Sequence, residues 1–421
     1  MNIIIKGFLF RQFSILSRSF VLKIQHPNLK KLKSMNLNSK IEIALYHSDK
    51  IISNFTSRHS LSNKIVGYWL LSCSGMVFVA VTLGGITRLT ESGLSIVTWK
   101  LLGEKIPLNE VSWLNEFEKY KQFPEFKMIN TNITLQEFKQ IWLMEYIHRM
   151  WGRLIGISFI IPASYFWINN MLKPGMKKNI LILGILIGCQ GLLGWYMVKS
   201  GLENDFMKPS DIPRVSQYRL AAHLGLAIII YTKFLYTALD HLIPNETNGF
   251  NIFKLKSVDK QLKLLKRLKL IAYSSKCLIF FTIISGAFVA GLDAGLIYNT
   301  FPKMSNKWIP DDILFLKPLI KNFTENPVTV QFDHRILAIS TLFLVTYLAI
   351  ISKKYKLCGR AATAILAVLI STYMQAFLGI FTLYSYVSTH SATAHQSGSL
   401  VLLSTIVWLC HEMKCIKKLP K

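Results

Sequence analysis

The sequence predicts an all-α integral membrane protein whose eight transmembrane helices form two parallel, repeat-related four-helix bundles. Three observations carry this prediction. Eight stretches are long and apolar enough to cross a bilayer. The segments between them alternate between strongly basic and charge-balanced. The same short motifs recur, in the same order, in both halves of the chain.

A bilayer core takes roughly twenty mainly apolar residues as helix. Residues 66–86, 141–168, 179–198, 218–239, 270–291, 331–351, 361–384 and 389–410 meet that requirement. The chain is 51% hydrophobic yet carries a net charge of +27. Such a pairing suits a membrane protein, whose charges collect in loops and tails. The basic residues fall between the apolar stretches and build no single face, so nucleic acid is not an expected partner. Six cysteines form no CxxC pair, and neither a disulfide framework nor a zinc site is implied.

Charge also orients the helices. Segments 169–178 and 352–360 contain basic residues and no acid, and 240–269 has seven basic residues against three acids. By contrast, 87–140 balances seven against seven, 199–217 three against three, and 292–330 four against four. Positive charge stays on the side from which insertion occurs. Residues 1–64 hold eleven basic residues and two acids, with Ser-bearing text such as Arg11–Ser19, which fits a mitochondrial transit segment followed by a basic tail. The expected location is the mitochondrial inner membrane, with both termini in the matrix. The domain boundaries are 1–64 for the transit segment and basic tail, 65–240 for the N-terminal four-helix half, 241–269 for a basic linker, 270–410 for the C-terminal half, and 411–421 for a basic tail.

The repeat is read from paired motifs. Gly84-Gly85-Ile86 and Ser92-Gly93-Leu94 match Ser285-Gly286-Ala287 and Ala294-Gly295-Leu296. Glu145-Tyr146-Ile147-His148-Arg149 matches Gln331-Phe332-Asp333-His334-Arg335. Gln190-Gly191-Leu192-Leu193-Gly194 matches Gln375-Ala376-Phe377-Leu378-Gly379, and Ala221-Ala222-His223 matches Thr393-Ala394-His395. An even number of helices per unit makes the two units parallel, and each bundle can house a cofactor between facing helices.

Position separates the ten histidines. His148, His223, His334 and His395 each sit in the early turns of an even-numbered stretch, two per half. Ionisable groups inside membrane helices are costly and call for a compensating role. Two facing imidazoles bind haem iron axially, whereas zinc asks for three or four protein ligands. The four are therefore candidate axial ligands of two haem irons. His390 is a rival to His395, and the repeat favours His395. Arg149 and Arg335 directly follow the first histidine of each half, Arg219 precedes His223 by one turn, and Arg88 closes the first stretch. They are candidates for contacts to haem propionates; interface anchors or loop ion pairs are the alternative.

These motifs resemble the haem A synthase family in its mitochondrial and alphaproteobacterial form. The resemblance rests on Val66-Gly67-Tyr68-Trp69-Leu70, Leu83–Ser95, Glu145–Arg149 with Gly152-Arg153, Gly194–Leu202, Ser216–Arg219, Val289–Gly295, Tyr298–Pro302 and Phe332–Arg335, and covers about residues 64–410. It implies oxidation of the C8 methyl of haem O to the formyl group of haem A, for cytochrome c oxidase assembly. It implies a resident haem b on His334 and His395, and the substrate haem on His148 and His223. Haem O synthase, a ferredoxin-type electron partner, cytochrome c oxidase assembly factors and further copies of the chain are the partners it suggests. Glu145, one helical turn from His148, faces Gln331 in the repeat; a carboxylate there suits a catalytic role as the methyl is oxidised, with pairing to Arg149 as the alternative. The text departs from the family at Lys100-Leu101-Leu102 and at Lys303, away from any proposed ligand, and the outer-loop cysteine pair of some bacterial relatives is absent. A di-haem b electron carrier and a transporter with structural histidines are the competing readings.

Overall fold

The computed structural model describes residues 37–202, 214–244 and 258–415, and of residues 37–62 the backbone alone. The stretch 1–36 expected to hold a transit segment lies outside the described residues, as do 245–257 of the basic linker and 416–421 of the basic tail. Residues Asn63–Lys421 form one compact unit.

Eight long helices follow one another: α1 (Leu37–Leu89), α2 (Leu135–Ile168), α3 (Met176–Leu202), α4 (Gln217–Leu242), α5 (Val258–Gly291), α6 (Pro327–Lys354), α7 (Gly359–Tyr384) and α8 (Thr389–Cys415). Seven of them, α1 from Asn63 through α7, are long and apolar enough to cross a membrane. The expected eighth span is present as a 27-residue helix but falls short of that apolarity. Its first third carries Thr389, His390, Ser391, Thr393, His395, Gln396, Ser397 and Ser399, and its last turn carries His411, Glu412 and Lys414. These groups are accommodated by protein. Gln396 donates to the Val81 carbonyl at 2.9 Å, and buried Glu412 accepts from Arg360 Nε at 3.1 Å and Trp408 Nε1 at 3.0 Å. Polar groups at membrane depth persist only where protein satisfies them.

Packing closes two rings. In the C-terminal half α5 packs on α6, α6 on α7, α7 on α8, and α8 back on α5. In the N-terminal half α2 packs on α3 and α3 on α4. Trp69 and Trp151 tie α1 to α2 through indole N–H bonds to the carbonyls of Ser158 (3.0 Å) and Met76 (2.8 Å). Phe78 on α1 meets Tyr231 on α4 at 6.4 Å between ring centres. The rings share a wall where α4 packs on α5 and α8, and one buried cluster, including Leu70, Phe159, Phe234, Leu348 and Leu400, runs through both. Lipid tails are as apolar as leucine, so close van der Waals fit and interhelical hydrogen bonds hold such helices together.

The two long connections at one end of the rings are folded. Residues 90–134 contain the helix Glu110–Lys121, capped by Asn109, and the single turn Pro124–Met128. Phe117 and Tyr120 stack on Phe138 of α2 at 4.9 and 5.2 Å, and Trp113 meets Trp142 edge-on at 5.2 Å. Thr134 and Glu137 form a capping box that starts α2 here. In 292–326, the Asn322 amide donates to Leu316 and Leu319 carbonyls and accepts from Leu316 N–H, while Asn326 caps α6.

Candidate functional site

Each of the four histidines lies with its imidazole edge on a glycine of the preceding helix. A Cβ built on Gly84 would stand 3.0 Å from Cε1 of His148, and one on Gly194 3.1 Å from His223. In the other half the distances are 3.2 Å from Gly286 to His334 and 2.8 Å from Gly379 to His395. Glycine suits each position, because a Cβ would crowd the ring and at Gly379 could not be placed without something shifting. This contact corrects the repeat register. The motif text aligns Gly85 with Gly286, but geometry pairs Gly84 with Gly286, the same 202-residue spacing that separates Gly93 from Gly295. Gly85 instead leaves room for the Gln396 amide.

A second paired feature fastens the loop that leaves the preceding helix. Arg149 donates to the carbonyls of Ile96 (2.8 Å) and Thr98 (2.9 Å), and Arg335 donates to those of Tyr298 (3.0 Å) and Thr300 (2.9 Å). Glu145 is 2% exposed and accepts from Ser95 Oγ and Ile96 N, both at 2.7 Å, and from Arg149 at 2.6 Å. Gln331 fills its place in the other half, donating to the Tyr298 carbonyl at 3.0 Å. The guanidinium of Arg149 is thus engaged by backbone and carboxylate, the loop-anchoring alternative. Arg88 reaches Asp293 at 2.7 Å, Arg214 joins the same carboxylate at 2.9 Å, and Arg219 lies over the Tyr196 ring at 4.9 Å.

The two histidines of the C-terminal half meet. The rings of His334 and His395 have centres 6.4 Å apart and planes at 87°. Metal–imidazole bonds are about 2 Å long and a ring centre sits roughly 1 Å behind its nitrogen, so two axial ligands hold their centres roughly 6 Å apart. The pair fits a haem iron. Gln190 and Gln375 donate to the carbonyls of His223 and His395 at 3.1 and 2.8 Å and touch the same residues' rings. Oε1 of both glutamines is buried without a protein partner, the kind of polar atom a bound group completes. His390 is exposed, so the ring that meets His334 belongs to His395.

A family model described as cytochrome oxidase assembly protein, COX15–CtaA, matches residues 67–407. The chain belongs to that family. It is 52% identical over 360 residues to heme A synthase COX15 of Bos taurus, covering 85% of this chain and 84% of the relative. It is 51% identical over 358 residues to the Homo sapiens protein of the same name, with the same coverage. Heme A synthase of Nitrosospira multiformis is 42% identical over 355 residues, 83% of this chain and 94% of the relative. In this COX15–CtaA member the roles of the glycines beneath the histidines, the two glutamines and Ser285 are additions to the sequence reading, while the loop contacts of Arg149 and Arg335 follow its loop alternative. The recurrence of Gln-x-x-x-Gly and His-Arg in both halves was the available signal for most of them.

Proposed function

We propose that this chain is a haem A synthase: a membrane-embedded oxidoreductase that converts the C8 methyl of haem O to the formyl group of haem A for cytochrome c oxidase assembly. The observation that carries the reading is the His334–His395 pair at 6.4 Å, in a chain 52% identical to a heme A synthase over most of both lengths. We assign a resident haem b to His334 and His395 in the C-terminal half (270–410), and the substrate haem O to His148 and His223 in the N-terminal half (65–240). When bound, haem b supplies one-electron redox chemistry.

The chain's own residues bind and orient. Gly84, Gly194, Gly286 and Gly379 seat the imidazoles, while Arg149 and Arg335 hold the covering loops by their carbonyls. Glu145 is the charged member of the loop anchor in the substrate half, where the resident half has neutral Gln331. A carboxylate one turn from His148 suits proton uptake or stabilisation of positive charge as the methyl is oxidised. Arg88, Arg149, Arg219 and Arg335 are the arginines we assign as propionate contacts, alongside their observed partners. Two repeat-related, parallel four-helix bundles spanning the mitochondrial inner membrane, with both termini in the matrix, complete the reading. Haem O synthase, a ferredoxin-type electron partner, oxidase assembly factors and a second copy of the chain are the partners that this place in the pathway asks for.

Two variants test it. His334→Ala and His395→Ala are each expected to lose haem b and haem A formation. Glu145→Gln copies the residue of the other half, so it is expected to keep the fold and both haems while oxidation falls by about 100-fold. Full haem A output from Glu145→Gln would remove its catalytic role. A normal haem b spectrum in both histidine variants would remove the site.

A further inference from the structure

With Gly84 matched to Gly286, the helix faces behind the first histidine of each half can be compared residue by residue. In the C-terminal half Ser285 Oγ lies 2.7 Å from Nδ1 of His334 and donates its own proton to the Thr282 carbonyl at 2.8 Å. A hydroxyl has one proton to give. With that proton on Thr282, Oγ accepts from Nδ1–H, which leaves Nε2 of His334 as the unprotonated, ligating nitrogen. Thr282 in turn meets Thr341 of α6 at 3.2 Å between hydroxyls. The same 202-residue spacing places Ala80 and Leu83 where Thr282 and Ser285 stand. The spacing of His148 to His334 places Ile155, buried in the core, opposite Thr341. All three hydroxyls are thus replaced by hydrocarbon in the N-terminal half. His148 accordingly keeps a buried Nδ1 with no protein partner.

We propose that Ser285, set against Leu83 at the same place in the other half, makes His334 a fixed ligand and His148 a releasable one, so that one haem is retained while the other is exchanged. A histidine that ligates a metal ordinarily donates its second N–H to a protein acceptor, and that bond orients the ring and raises its basicity. Where the acceptor is missing, the ring must be ordered and its tautomer selected when the haem binds, and iron is held less tightly. A synthase needs both behaviours in one molecule: a permanent redox group, and a site that takes in substrate and lets product go. Ser285 is a positioning residue, since it acts on the iron through His334. The inference rests on the proposed division into a resident-haem half and a substrate-haem half.

The test compares haem release from the full-length protein purified in detergent, using excess apomyoglobin as haem acceptor and following haem b spectroscopically. Ser285→Ala is expected to speed haem b release by about 10- to 100-fold, the usual loss for removing such an outer partner, and to shift the haem b midpoint potential. Ser285→Thr keeps a hydroxyl and is expected to restore slow release. Leu83→Ser is expected to slow release of the other haem while slowing turnover, a gain that a misfolded variant cannot mimic. Wild-type release and potential in Ser285→Ala, with haem b still lost in His334→Ala, would overturn the role of Ser285 and leave the site intact. Unchanged haem content in His334→Ala would overturn the division of the halves itself.

Discussion

Beneath each histidine, a single methyl group would be felt directly. Gly379 is the tightest of the four, since a Cβ there would stand 2.8 Å from the His395 ring. At that distance something must shift, and a turned or displaced imidazole would no longer meet His334 as it does now. Gly379→Ala is therefore expected to deplete haem b nearly as fully as loss of His395, while the helices still assemble. Haem content per chain measures this, and a full complement of haem b would contradict the proposed seat. The histidines themselves were legible in the sequence because four charged-capable side chains at one depth demand a reason. The seats were half legible. Two adjacent glycines at 84 and 85 offered two registers, and only contact with His148 separates them. The contrast between Leu83 and Ser285 was invisible for the same reason: a shift of one residue along a helix compares different faces.

Among the elements outside the rings, the folded segment 90–134 has its own pH response. Glu125 is 5% exposed, one of its carboxylate oxygens has no partner, and burial, reinforced by Glu145 and Glu91, pushes its pKa up to about 8. The folded segment holds this proton more tightly than the unfolded chain does. The protonated form stabilises it fully at acid pH, and that contribution declines as pH rises from the ordinary carboxyl value of 4.5 and is gone above about 8. Exchange protection of this segment, corrected for the intrinsic rise of amide exchange with pH, is expected to fall between about pH 5 and 8, and Glu125→Gln to flatten the change; an identical slope in both proteins would exclude Glu125 as its source. Helix placement was largely readable from hydropathy and loop charge. Helix α8 was the exception in kind. Its polar first third is compatible with a buried position because Gln396, Ser391 and His395 find partners in protein, and composition alone carries no information about partners.

At the level of the whole molecule, a shared wall joins what motif matching reads as two equivalent units. Gln396 donates to Val81, and Thr82 meets Ser397 at 3.1 Å, so α8 is bonded to α1 beside the glycine that seats His148. Tyr231 of α4 meets Ser404 of α8 at 2.7 Å. A chain cut within 245–257 is expected to reassemble when both pieces are expressed together, with haem b recovered, while either piece alone is degraded. Stable haem-loaded accumulation of the C-terminal piece alone would refute this. The reason is solvent: in lipid, an exposed amide or hydroxyl has no water to turn to.

The Gln396 amide fills the notch that Gly85 leaves in α1. Parted from its partner half, that carboxamide would face hydrocarbon with its donor and acceptor both unspent, and the backbone opposite would keep a dent that lipid chains fill poorly.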